Sequence, residues 1–129
     1  MRLRILPIVV AALVAPSVAA QEAAFLEGHV FNKLTGVPLS GALVRVFEAT
    51  CTFRPPPGPI LASASSDDNG FYQFEIAQFL GCGADIEVVC QTRNSDFEGG
   101  SSATLRAGLI RRDVYLDAPR SLAGCGSIQ

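Results

Sequence analysis

The sequence has no tryptophan, one histidine and one methionine in 129 residues. A single imidazole, His29, excludes every site that needs two or more histidines, including the common His-rich zinc and iron centres. The absence of tryptophan removes the ring best suited to stacking on sugars. Close cysteine pairs are also missing. The nearest two, Cys82 and Cys90, stand too far apart for the two-to-four-residue spacing of ordinary zinc sites. Metal binding through these thiols is not expected, and neither is any other cofactor. Basic residues are too few to form an electrostatic footprint for nucleic acid or anionic lipid.

Long apolar runs are absent apart from Ile5 to Val14. That run follows Arg2 and Arg4 and precedes Ala15-Pro16-Ser17-Val18-Ala19-Ala20, the order of charged start, apolar middle and small-residue cleavage site found in a signal peptide. A membrane-spanning helix needs about 20 apolar residues, more than this run supplies. Cleavage is expected between Ala20 and Gln21, with residues 1–20 removed and residues 21–129 forming one exported domain, periplasmic or secreted. No cysteine follows the cut, so attachment of lipid there is not expected. Without Arg2 and Arg4 the ten basic residues become eight against twelve acidic ones, and the formal charge moves from -2 to -4. The whole-chain mean hydropathy of +0.33 is likewise raised by residues that the mature domain lacks.

From Phe25 onward the apolar residues recur with period two, and Gly, Pro, Asn, Asp and Ser separate the runs. The spacing predicts strands over Phe25–Phe31, Ala42–Phe47, Ile60–Ser65, Phe71–Ile76 and Asp85–Gln91. A weak strand follows around Ala103–Gly108, and a last one lies within Asp113–Asp117. Leu26, Gly28 and Val30 share one face of the first strand, so His29 faces outward. Tyr72, Phe74 and Ile76 point to the core, as do Ile86, Val88 and Cys90, and later Val114 and Leu116. Phe53 to Pro59, with four prolines, reads as a stiff extended connection, because proline has no ladder donor. Thr92 to Ser102, with Gly99-Gly100, reads as a long loop. No amphipathic helix is expected beyond a short turn around Ala77–Leu80. The predicted fold is therefore all-β, an antiparallel two-sheet sandwich of about seven strands.

Cys51, Cys82, Cys90 and Cys125 all follow the expected cleavage point, an even number in an exported chain, and two disulfides are expected. Three pairings are open to four cysteines. If successive strands alternate in direction, Cys51 and Cys82 fall at one end of the sandwich and Cys90 and Cys125 at the other. A bridge needs Cα atoms within about 7 Å, so the expected bonds are Cys51 with Cys82 and Cys90 with Cys125.

Three segments occur in order: Leu26-Glu27-Gly28-His29-Val30, Gly36-Val37-Pro38-Leu39-Ser40-Gly41-Ala42-Leu43-Val44-Arg45-Val46 and Asp67-Asp68-Asn69-Gly70-Phe71-Tyr72-Gln73-Phe74. Together they resemble the carboxypeptidase regulatory-like domain family over roughly residues 24–76, and more loosely beyond. The resemblance implies a Greek-key sandwich of the transthyretin or prealbumin kind. It also implies a module that accompanies enzymes, receptors and surface proteins, and it offers no catalytic residue to carry over. The cysteines and the proline-rich connection depart from the family pattern. A hydroxyisourate hydrolase of the transthyretin kind needs several histidines and a C-terminal Tyr-Arg-Gly-Ser, and an intradiol dioxygenase needs two histidines and two tyrosines for its iron. This chain has one histidine and ends Gly126-Ser127-Ile128-Gln129.

A Ser-His-Asp triad built on His29 lacks a Gly-x-Ser-x-Gly elbow. Asp67-Asp68-Asn69-Gly70 lacks the spaced ligands and distal glutamate of a calcium loop, and an Asx turn explains it. No enzyme is expected. The sequence reads as an exported structural or protein-interaction module, with Phe53, Phe79 and Phe97 as candidate contact aromatics on loops. The alternative is a carbohydrate-binding module. The partner is accordingly an unidentified protein or a glycan, with no nucleic acid and no membrane insertion of the mature domain. Intact mass spectrometry of the exported protein is expected to give a chain beginning at Gln21; retention of residues 1–20 would contradict cleavage.

Overall fold

A computed structural model describes residues 23–51 and 58–126. The expected cleavage site and most of the proline-rich connection, Phe53 included, lie outside the described residues. Among the described residues there are eight strands: β1 (Ala24–Asn32), β2 (Leu43–Glu48), β3 (Ile60–Ser65), β4 (Phe71–Glu75), β5 (Gly83–Gln91), β6 (Asp96–Thr104), β7 (Gly108–Arg111) and β8 (Val114–Leu116). One turn of 3-10 helix, Ala77–Phe79, stands between β4 and β5. One sheet runs β4-β1-β7 with β8 also paired to β1, and the other runs β3-β2-β5-β6.

The alternation that defines the strands also builds the core. Leu26 and Val30 of β1, Tyr72 and Phe74 of β4, Ile110 of β7 and Val114 and Leu116 of β8 meet Val44 and Val46 of β2 and Ile86, Val88 and Cys90 of β5 in one buried cluster. Burying a side chain of this kind is worth roughly 1.5–3 kcal/mol. Turn chemistry fixes where the strands begin. The Asp67 side chain accepts hydrogen bonds from the amides of Asn69 and Phe71 at 2.8 and 2.9 Å, and Gly70 takes the positive φ that closes the Asx turn into β4. Ser66 is buried; its hydroxyl donates to the Leu39 carbonyl and accepts from the Ala42 amide, tying the entries of β2 and β4 together.

β7 and β8 lie end to end along one side of β1, both parallel to it: Ala24–Glu27 pair with β7 and Val30–Asn32 with β8. Between them Arg112 and Asp113 cross over Gly28. A Cβ at residue 28 would stand 1.7 Å from the Arg112 carbonyl oxygen, so only glycine permits the crossing. That carbonyl accepts the buried Tyr72 hydroxyl at 2.6 Å, and the Arg112 amide donates to the Glu27 carbonyl. The His29 amide, which loses its strand partner at the break, donates instead to the Asp113 carboxylate at 2.9 Å.

Two expectations are corrected. Thr92–Ser102 is not a long loop: only the turn around Thr92–Ser95 separates β5 from β6, which pairs with β5 along its whole length. The weak strand around Ala103–Gly108 is replaced by the end of β6, a short connection and the start of β7. Eight strands among the described residues agree with the expected all-β sandwich of about seven. β6 has little apolar content because β8 packs closely on it. A Cβ at Gly99 would lie 2.7 Å from a Leu116 methyl group, and one at Gly100 would lie 2.7 Å from the Ile86 carbonyl oxygen.

The disulfides are Cys51–Cys82 and Cys90–Cys125, with Cα separations of 5.3 and 5.0 Å, as strand alternation predicts. They staple β5 at both ends. The start of β5 meets the end of β2, where the Ala49 amide donates to the Gly83 carbonyl; the far end holds the C-terminal segment, where the Gly126 amide donates to the Gln91 carbonyl.

Urea unfolding is expected to show each Cys→Ser pair losing roughly 3–4 kcal/mol, the chain-entropy value for separations of 31 and 35 residues. Gly28→Ala is expected to cost about 3 kcal/mol or more, because backbone must move to admit the methyl group; an unchanged midpoint for that variant would contradict the crossing.

Candidate functional site

The outward face of the β4-β1-β7/β8 sheet carries the most distinctive chemistry of the described residues. Period two places Phe25, Glu27, His29 and Phe31 of β1 on that face, and strand register sets a neighbour beside each. Phe25 stands between Glu75 and Leu109, Glu27 between Gln73 and Arg111, His29 beside Phe71, and Phe31 beside Tyr115.

The middle row is a closed polar unit. Gln73 Nε2 donates to Glu27 Oε1 at 2.9 Å, and the Arg111 guanidinium donates to Glu27 Oε2 at 2.8 Å. Glu27 is 8% exposed, while the Arg111 side chain is 61% exposed. The Arg111 hydrogen bond holds the Glu27 carboxyl below its ordinary pKa of 4.5, against burial that pushes it up, with help from Gln73.

Beyond it four rings form a ladder. His29 and Phe71 have centroids 5.3 Å apart and tilted, His29 and Phe31 are stacked at 5.6 Å and 16°, and Phe31 and Tyr115 are stacked at 5.3 Å and 26°. These are the offset and tilted arrangements that aromatic quadrupoles favour, and cross-strand ring pairs stabilise sheets. The ladder is not buried: Tyr115 and Leu109 are each 54% exposed, and Phe31 and Phe71 are half-buried. The other outward face differs. There Arg45 pairs with Glu87 and lies 5.6 Å over the Phe47 ring.

His29 lies on the outward face, as its position in the period predicts. Its Nδ1 is 3.8 Å from Asp113, and among the described residues no serine or threonine hydroxyl bonds to it, so a His-Asp pair exists without a nucleophile. Among the described residues no three His, Cys, Asp or Glu side chains gather in a way that could hold a metal ion. The phenol of Tyr72 is pushed above its ordinary pKa by burial and then by Asp113, and it is engaged with the Arg112 carbonyl.

Of the three loop aromatics singled out in the sequence, two lie among the described residues. Phe53 lies outside the described residues. Phe79, in the 3-10 turn, and Phe97, at an inward position of β6 rather than on a loop, are half-buried and pack against the core. The exposed ring is Tyr115. It sits in a strand, and its outward direction follows from Val114 and Leu116 pointing inward, a signal present in the sequence and easily overlooked when exposed aromatics are sought on loops.

No family model matches the chain, and a search of curated proteins finds no match. Among solved structures, a 9R-lipoxygenase from Cyanothece PCC8801 is similar over 79% of this chain and 18% of its own length, at 15% identity and a TM-score of 0.41. A chlorocatechol 1,2-dioxygenase from Pseudomonas putida is similar over 80% of this chain and 64% of its own, at 11% identity and a TM-score of 0.46. The chain thus spans less than two thirds of either protein, and neither likeness bears on its chemistry.

Glu27 ionises more readily in the folded state, so its contribution to stability is complete above pH 4.5 and is lost as pH falls through the lowered folded value. Comparing wild type with Glu27→Gln across that range is expected to show a stability difference near neutrality that closes in acid. A difference that stays constant into strong acid would contradict the assignment.

Proposed function

We propose that this chain is an exported, non-catalytic interaction module that docks a protein partner on the aromatic outward face of its β4-β1-β7/β8 sheet. The observation that carries the reading is the half-exposed ladder of Phe71, His29, Phe31 and Tyr115, bordered by a self-neutralised Gln73-Glu27-Arg111 row. Contiguous apolar surface beside polar groups is typical of interfaces, where Tyr and Phe are enriched. The rings stack on one another, which leaves edges and one tyrosine toward solvent. Edges suit the packing of protein side chains better than the flat stacking of sugar rings.

The compartment belongs to the same proposal. A leader removed at Ala20 takes the chain to the periplasm or beyond, and two disulfides agree with an oxidising destination. Membership of the carboxypeptidase regulatory-like family is supported by its three motifs and by the structural work they do. Gly28 permits the Arg112 crossing, Asp67-Gly70 makes the Asx turn into β4, and Ala42-Val44-Val46 supply one wall of the core. Among the described residues no serine or threonine hydroxyl is bonded to His29, and the module acts by contact.

The test is capture from the native exported fraction with the oxidised mature domain as bait. A specific protein is expected, with capture lost or reduced at least tenfold by Phe31→Ala/Tyr115→Ala and unchanged by Phe47→Ala on the opposite sheet. Capture that survives the first variant and falls with the second would overturn the assignment of the face.

A further inference from the structure

Between the β5–β6 turn and the C-terminal segment lies a cavity of about 440 Å³. We propose that it is a binding site for a neutral saccharide, separate from the aromatic face.

The volume falls in the class of small-ligand sites, about 300–1,000 Å³. Its lining decides the chemistry. Thr92, Asn94, Ser95, Phe97, Ser121 and Leu122 contribute to it, and no lining residue is ionisable. The domain otherwise carries eight basic and twelve acidic side chains after residue 20. Among the described residues the lining offers a charged ligand no countercharge, whereas an uncharged one strands no charge on entering. Phe97 supplies the single ring, held in place by its packing against the core. Asn94, Ser95 and Ser121 are exposed, and their side chains make no hydrogen bond within the protein among the described residues. An apolar surface beside an amide and hydroxyls is the complement of a sugar ring, which has an apolar C–H face and a periphery of hydroxyl groups.

The second observation is that both walls of the cavity are held in place. The wall from Pro119 to Gly124 has almost no regular structure, yet it is fastened repeatedly. Asn32, fully buried, donates through Nδ2 to the carbonyls of Pro119 and Leu122 at 2.8 and 3.2 Å. The Cys125 amide donates to the Ser40 carbonyl at 2.8 Å, and Cys125 is bonded to Cys90 of β5. Across the cavity the Thr92 hydroxyl donates to the Ser95 carbonyl and accepts from the Ser95 amide, closing the β5–β6 turn. Both walls are thus set before a ligand arrives, which reduces the entropy lost on binding.

The test titrates the oxidised mature domain, by NMR, with neutral gluco-, manno-, galacto- and N-acetylglucosamine oligosaccharides, and with oligogalacturonate as the charged counterpart. Saturable shifts at Thr92–Phe97 and Ser121–Gly124 are expected with at least one neutral series and not with oligogalacturonate. Phe97→Ala is expected to weaken binding at least tenfold. Because that ring also packs on the core, Ser121→Arg serves as the second variant: Ser121 is exposed, so the fold tolerates the change, and the long cation obstructs the cavity with the same loss. Phe31→Ala/Tyr115→Ala is expected to leave sugar binding intact, which separates this site from the protein-docking face. The proposal is overturned if no neutral series binds at millimolar concentration, if oligogalacturonate binds better, if binding survives Ser121→Arg, or if the shifts map to Phe31 and Tyr115.

Discussion

The crossing of Arg112 over Gly28 is the contact on which the rest of the architecture depends. It divides what would be one long strand into β7 and β8, letting both pair with β1 while the chain between them lifts over a residue with no side chain. The Tyr72 hydroxyl closes over the lifted carbonyl and the Asp113 carboxylate takes the amide that the break leaves free, so both of these backbone groups keep a partner. The same arrangement brings Tyr115 beside Phe31 and Arg111 beside Glu27. The outward face therefore follows from a backbone constraint inside the sheet.

A domain of this size buries a modest core, and its stability leans on cross-links. Both disulfides act on β5, a strand paired on both sides in its sheet, and they anchor the connection that follows β2 and the segment that follows β8. The buried Asn32 extends the second anchor. It is the last residue of β1, yet its side-chain nitrogen reaches chain more than eighty residues away, and its side-chain oxygen Oδ1 accepts the Leu34 amide to start the next turn.

Much of this was legible in the sequence wherever alternation was clean. Leu26 and Val30, Val44 and Val46, and Ile86, Val88 and Cys90 announce their face, and strand direction alone paired the cysteines. β6 was not legible because its inward positions are Phe97, Gly99, Ser101 and Ala103. Glycine is there to admit Leu116 of a different sheet, and no local pattern reports a neighbour so distant in sequence. The candidate site is less legible because, among the described residues, the exposed ring lies not on a loop but at an outward position in a three-residue strand. Outward Phe25 and Phe31 on a half-solvated sheet were the available clue, because such positions are ordinarily polar.

The two outward faces divide the surface into one built from rings and one built from ion-paired charge, and the cavity beside Phe97 adds an uncharged site at a third place. Three surfaces of different chemistry on one small scaffold fit a module that works by holding things together. The central claim is that the ring-bearing face is where a protein partner sits, and hydrogen–deuterium exchange of the oxidised domain, free and in the captured complex, tests it most directly. Added protection of β1, β4 and β8, with β2 and β3 unchanged, is the predicted result; protection confined to β2 and β3 would contradict it.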